Sequence, residues 1–315
     1  DSRMKIVLLE SLSVSKECMK KYTDILEQEG HSFQCYERND DPEVQIQEIG
    51  DADIVMIANM PLSGKVISAC PNLKFIDVAF TGVDHVDLQA AREKGIAVSN
   101  ASGYSNESVA ELVLGMILRN VPQVEERCRK GMTKDGLVGR ELKGKTVGVV
   151  GTGAIGSRVA ELCHLFGCEI AAYDLFPKKN APEYLHYGTL EEVLSKSDIV
   201  TLHCPLTEDS RNLINQDRIA QMKKGAILIN AARGPIVDSK ALADALNSGY
   251  LRGAGVDVFE MEPPLPMDHP LLHSINTIVT PHIAFASDES MEIRAKIVFE
   301  NIQKWMNKEQ VNTIL

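Results

Sequence analysis

A chain of 315 residues with 44% hydrophobic and 24% charged side chains is long enough for two packed cores and too apolar to be extensively disordered. Its net charge of −11 repels nucleic-acid phosphates and anionic lipid headgroups, so neither nucleic acid nor membrane is an expected partner. Seven cysteines without a Cys-x-x-Cys pair argue for reduced thiols in a cytoplasm rather than a disulfide framework or a zinc site.

Asp1–Arg3 precede Met4 and are set aside. "MKIVLLESLSV" has the look of a signal peptide, but its apolar core is short and Glu10 interrupts it, so a first strand is expected. Strand-like runs follow at 31–37, 53–58, 73–79 and 95–100, separated by amphipathic segments such as 15–29 and 62–69. Five short strands with intervening helices predict a small flavodoxin-like domain. Tyr104–Leu118 carries a helical apolar pattern (Val109, Leu112, Val113, Met116, Ile117). From Lys145 the rhythm restarts, with strands expected at 145–150, 168–174, 198–203, 226–232, 253–259 and 276–282. Six strands match a full dinucleotide-binding domain. A last helix is predicted over Ser287–Met306, with Ile293, Ile297 and Ile302 on one stripe. The remainder to Leu315 is too short for a domain and is expected to fold back onto the first one. The sequence therefore predicts an α/β protein of two Rossmann-like lobes. A doubly wound dinucleotide-binding domain, 103–287, is inserted into a smaller flavodoxin-like substrate domain, 1–102 and 288–315. The two long helices make the crossings.

"VGVVGTGAIGSRVA" holds three glycines between a strand at 145–150 and a helix at 154–166. Gly151 permits the turn, Gly153 lets backbone approach a pyrophosphate, and Gly156 allows the helix to pack close. The helix start, Ala154 and Ile155, presents N–H groups and the positive dipole end to phosphate. Asp174 closes the next strand at about the 20-residue spacing of an acid that binds ribose hydroxyls. A carboxylate there favours NAD over NADP, while Lys178 and Lys179 leave the strictness of that preference open.

In parallel sheets ligands sit beyond the carboxyl ends of the strands. Those ends supply Arg233, then Asp257, Glu260 and Glu262, then His282. Singly, Arg233 reads equally as a surface arginine, Glu262 as loop decoration and His282 as a histidine packed at a sheet edge. Together they form the set that reduces a 2-oxo acid. Arginine grips the carboxylate and polarises the carbonyl. An imidazole backed by a carboxylate donates the proton.

The succession G-x-G-x-x-G, N-A-A-R-G, D-V-F-E-x-E-P, P-H-I resembles the D-2-hydroxyacid dehydrogenase family over essentially the whole chain. The resemblance implies NAD as cofactor, a small 2-oxo or 2-hydroxy acid as substrate, an active site in a cleft between lobes, and a homodimer formed through the nucleotide domain, with Lys134–Lys145 as a contact. It implies Arg233, Glu262 and His282 as the catalytic set, with Glu262 preferred to Glu260 because it directly precedes proline. Cofactor contacts are implied for Asp257, Ala231, Ala232, His203, Pro205, Thr207 and Ser108. Substrate contacts are implied for the Thr81–Gly82 backbone and for Tyr104. Tyr104 reads equally well as an aromatic wedged at the lobe junction. No metal motif is present: Asp84 and Asp87 read as a turn and a helix start. Phosphoglycerate enzymes of the family carry arginines where this chain has Ile57 and Asn59, and no regulatory domain is expected after Leu315. An unphosphorylated substrate is therefore expected, with Phe80 leaving side-chain preference open. The alternatives are a glyoxylate or hydroxypyruvate reductase, a short phosphoglycerate dehydrogenase, or an NAD-sensing, corepressor-like binding protein.

Overall fold

The computed structural model describes residues 3–118, 129–134 and 136–315. The chain separates into two compact units, Asp1–Ser105 with Ala286–Leu315, and Asn106–Phe285. The changeovers thus fall at Ser105 and Ala286 rather than at 102 and 288.

The first unit holds β1 (Lys5–Leu8), β2 (Ser32–Cys35), β3 (Ile54–Ile57), β4 (Phe75–Val78) and β5 (Ala97–Ser99), all parallel in the order β2-β1-β3-β4-β5. That is the flavodoxin-like order. β3 and β4 are buried along their whole length, as strands covered on both faces must be. The helices α1 (Lys16–Gln28), α2 (Pro42–Ile49), α3 (Gly64–Ala69) and α4 (Leu88–Glu93) are capped by Ser15, Asp41, Ser63 and Asp87. Asp87 accepts from the Ala90 amide at 3.0 Å, so this carboxylate starts a helix. The long α10 (Asp288–Met306) begins in a reciprocal Ser287–Ser290 capping box. It packs on β4, with Trp305 stacked on Phe75 at 5.0 Å between centroids and Asn301 donating to the buried Asp77 at 3.0 Å. Burial pushes the Asp77 carboxyl well up, against the Asn301 hydrogen bond, which pulls it down. The last residues pair with β5, where the Val98 amide donates to the Leu315 carbonyl at 2.9 Å.

Among its described residues the second unit holds seven parallel strands, β6 (Thr146–Val150), β7 (Glu169–Tyr173), β8 (Leu185–Tyr187), β9 (Ile199–Leu202), β10 (Ile227–Asn230), β11 (Gly253–Val256) and β12 (Thr277–Val279), in the order β12-β11-β10-β9-β6-β7-β8. The sheet is doubly wound, its order reversing at the β6–β9 pair. β8 adds to the six strands expected from sequence. It is three residues long on the sheet edge, too short to show any periodicity. The helices are α5 (Asn106–Leu118), α6 (Ala154–Leu165), α7 (Leu190–Lys196), α8 (Gln216–Gln221) and α9 (Ser239–Asn247). Position 135, inside the segment expected to join two copies, lies outside the described residues.

Candidate active site

The glycine turn sits at the reversal of strand order. Gly151 has φ +97°, and a Cβ on it would stand 2.6 Å from the backbone of His203 and Cys204. A Cβ on Gly156 would stand 1.9 Å from the Gly151 carbonyl, so only glycine lets α6 approach the turn. Gly153 is the opposite case: it N-caps α6 with no side-chain bond, and nothing lies within 4 Å of where its Cβ would be. The first-turn amides of α6, those of Ala154 and Ile155 included, are thus approachable, with the helix dipole behind them. This cradle fits a pyrophosphate.

Asp174 follows β7. Its Oδ2 accepts from the Thr152 amide at 2.7 Å and the Thr152 hydroxyl at 3.0 Å, and its Oδ1 from the Phe176 amide at 2.9 Å. Burial pushes this carboxyl up, but those bonds and the Lys178 charge outweigh it, and the net shift is downward. Asp174 is therefore held as an anion. After β9, burial drives the His203 imidazole down to about 4, so it is neutral, with Nε2 2.8 Å from the Thr201 hydroxyl. Pro205 and Thr207 are exposed on a loop closed by Ser210, whose hydroxyl donates to the Pro205 carbonyl at 2.7 Å.

Three adjacent strand ends carry the remaining groups. After β10, the buried Asn230 accepts from the Ala232 amide at 3.1 Å and donates to the Arg233 carbonyl at 3.0 Å. Ala231 and Ala232 are half-buried there and Arg233 is exposed. A Cβ on Gly234 would stand 1.9 Å from the Phe259 backbone, so this loop lies directly on the next one. Sequence reading gave Asn230 no role; its signal was an amide side chain at the mouth of N-A-A-R-G.

After β11, Asp257 is fully buried. Its Oδ1 accepts from the Thr280 hydroxyl at 2.6 Å and the Ile283 amide at 2.8 Å, and its Oδ2 from the Ala284 amide at 3.1 Å. These bonds tie the carboxylate to the loop that bears His282. His282 itself has φ +58°, a conformation costing about 1–3 kcal/mol in a non-glycine residue, and its amide donates to the Asp257 carbonyl at 2.9 Å. Ser108, also expected at the cofactor, donates to the Ala284 carbonyl at 2.7 Å and so braces the same loop from α5.

The two glutamates have different partners. Glu262 takes His282 Nδ1 with both oxygens, at 2.9 and 3.1 Å. Glu260 instead pairs with the buried His269 at 2.6 Å and accepts from the Ser239 hydroxyl at 2.8 Å. Its carboxyl is pushed up by burial yet held below the ordinary range by its backbone bond, Ser239 and His269.

On the first unit, Thr81 is exposed and Gly82 half-buried in the loop after β4, with the Asn100 amide donating to the Thr81 carbonyl at 2.8 Å. Tyr104 is only 4% exposed, with the Arg294 guanidinium 5.9 Å from its ring centre. That burial and the Arg294 contact are what a packed aromatic would show. Near Asn59 an arginine does arrive, from after β2: Arg38 donates to the Asn59 side chain at 3.1 Å and to Asp40 at 2.8 Å. The linear sequence hid it. Among the described residues no three histidine, cysteine or acidic side chains group as metal ligands, and no helix is long and apolar enough to cross a membrane.

Residues 112–284 match the family model described as D-isomer specific 2-hydroxyacid dehydrogenase, NAD binding domain. The chain is 39% identical over 278 residues to the D-3-phosphoglycerate dehydrogenase of Methanocaldococcus jannaschii, covering 86% of itself but only 53% of that longer protein. It is 36% identical over 287 residues to the hydroxypyruvate reductase of Blautia hydrogenotrophica, covering 87% of itself and 88% of the relative. Its structure resembles the D-lactate dehydrogenase of Aquifex aeolicus, solved with NAD and lactic acid, with a TM-score of 0.80, 33% identity and coverage of 97% and 96% of the two chains.

Proposed function

We propose that this chain, which belongs to the D-isomer specific 2-hydroxyacid dehydrogenases, interconverts a small unphosphorylated 2-oxo acid and its D-2-hydroxy acid with NAD as cofactor. The observation that carries the reading is the two-oxygen contact of Glu262 with His282, on strand ends adjacent to the one bearing Arg233.

When bound, NADH supplies the hydride for the carbonyl carbon. Arg233 receives the substrate carboxylate in its planar fork and withdraws electron density from the neighbouring carbonyl. His282 gives its proton to the carbonyl oxygen, and Glu262 stabilises the imidazolium before transfer and orients the ring through Nδ1. In the oxidative direction the neutral imidazole takes the hydroxyl proton back. Asp257, Ser108 and Asn230 hold the loops in register for this. We assign the turn amides and Asp174 to the cofactor, with His203, Pro205, Thr207, Ala231 and Ala232 bordering it, and the Thr81–Gly82 backbone to the substrate carboxylate.

An unphosphorylated substrate is supported by Arg38, whose charge is already met by Asp40, with the buried Glu10 at 3.7 Å. A hydroxypyruvate or glyoxylate reductase is the second reading, favoured by relatives so named in Blautia hydrogenotrophica and Thermofilum pendens. The same reading places the enzyme in the cytoplasm as a homodimer. Free and mostly buried thiols among the described cysteines support the first, and the exposed apolar side chains of Met132 and Val138 support the second. The test is NADH oxidation with pyruvate, glyoxylate, hydroxypyruvate, oxaloacetate, 2-oxoisocaproate and phosphohydroxypyruvate, on wild type and on His282→Ala. Turnover of the phosphorylated acid above all others refutes the substrate class. Wild-type turnover by His282→Ala refutes the acid–base assignment.

A further inference from the structure

Thr152 lies between the first two glycines of the turn, yet it is 1% exposed, and both its amide and its hydroxyl point at Asp174. The hydroxyl has one proton, given to Asp174 Oδ2. The Tyr187 hydroxyl, 2.7 Å from Thr152 Oγ1, must therefore donate to it. Tyr187 in turn accepts from the Lys178 amide at 3.2 Å. The result is a one-way chain, from the Lys178 N–H to Tyr187, to Thr152, to Asp174, with the Phe176 amide on the other oxygen at 2.9 Å. Every donor points toward the carboxylate, and a chain of this kind polarises each bond in it. Three donors occupy three of the roughly four acceptor positions of a carboxylate, leaving capacity on Oδ1. Tyr187 belongs to β8, the short edge strand, which otherwise contributes little core.

We propose that Thr152 and Tyr187 are positioning residues that fix Asp174 toward the ribose hydroxyls and thereby set the preference for NAD over its 2′-phosphorylated form. The proposal rests on Asp174 being the ribose-binding acid. A carboxylate held at both oxygens cannot rotate away to admit a phosphate. Once the chain is cut only the Thr152 and Phe176 amides hold it, it turns more easily, and the Lys178 ammonium, 2.8 Å from the Ser157 hydroxyl in the first turn of α6, is then the nearby cation for that phosphate.

The experiment is fluorescence titration of the full chain with NADH and with NADPH, for wild type, Thr152→Val, Thr152→Ser, Tyr187→Phe, Asp174→Ala and the Thr152→Val/Asp174→Ala double variant. Losing a bond to a charged group weakens NADH binding about tenfold in Thr152→Val, and losing the more distant link weakens it about threefold in Tyr187→Phe. NADPH affinity holds or rises, so discrimination narrows. Thr152→Ser restores the wild-type ratio, and Thr152→Val has no further effect once Asp174 is alanine. If Asp174→Ala leaves NADH affinity unchanged, the ribose assignment itself fails. If Asp174→Ala weakens NADH but the threonine and tyrosine variants keep the wild-type ratio, or lose both cofactors equally, the relay is refuted and the ribose assignment stands.

Discussion

Replacing Asp257 by asparagine separates loop positioning from cofactor contact. The carboxylate accepts three bonds, two on Oδ1 from Thr280 and Ile283 and one on Oδ2 from Ala284. A carboxamide has a single oxygen. Its best orientation keeps the first two bonds and sets an NH2 group against the Ala284 amide, donor facing donor. One charge-assisted bond is lost and the others weaken, which costs about 2 kcal/mol, a factor of about 30 in the opening of the loop. The loop has reason to open, because His282 sits at φ +58° and relaxes once its anchor weakens. Hydrogen exchange read by mass spectrometry on a peptide spanning 280–286 should show protection falling about 30-fold, with a lower kcat and NADH affinity within about twofold of wild type. Unchanged protection together with weakened NADH binding would refute the reasoning and return Asp257 to the cofactor.

Glu262→Gln should lower kcat/KM about 100-fold with little change in NADH affinity, whereas Glu260→Gln should act mainly on thermal stability; the reverse pattern in steady-state kinetics would exchange the two roles. Arg233→Lys replaces a planar fork by a point charge, so KM for the 2-oxo acid should rise about tenfold or more; an unchanged KM would remove Arg233 from substrate binding. His203 sets a pH dependence. Its folded-state imidazole titrates at about 4, against about 6.5 when unfolded, so between those values the unfolded chain binds a proton that the folded chain refuses. Stability therefore falls as pH drops through that window, by about 3 kcal/mol in total, and His203→Gln should flatten this part of a melting-temperature profile. An equal slope in the variant would assign the acid lability to other groups.

The sequence alone determined what depends on near neighbours along the chain. Apolar runs marked eleven of the twelve strands found among the described residues, and the G-x-G-x-x-G turn announced itself because three glycines stand at a set spacing between a strand and a helix. It also placed Arg233, Glu262 and His282 at strand ends, since the carboxyl edge of a parallel sheet follows from the order of elements. Only the tertiary structure could decide which groups meet. Glu260 and Glu262 are chemically alike and two residues apart, and their different partners come from loops 9 and 20 residues further on. The same holds for Asp257 and Ser108, whose polar atoms are spent on the His282 loop, and for Tyr104, which is buried beside Arg294. Tyr187 is the extreme case. It lies on a strand too short for any pattern, and it matters only through a hydroxyl 2.7 Å from a residue 35 positions away. Hydrogen bonds and burial are set by separation in space, and for residues on different strands the chain's linear spacing carries almost none of that information.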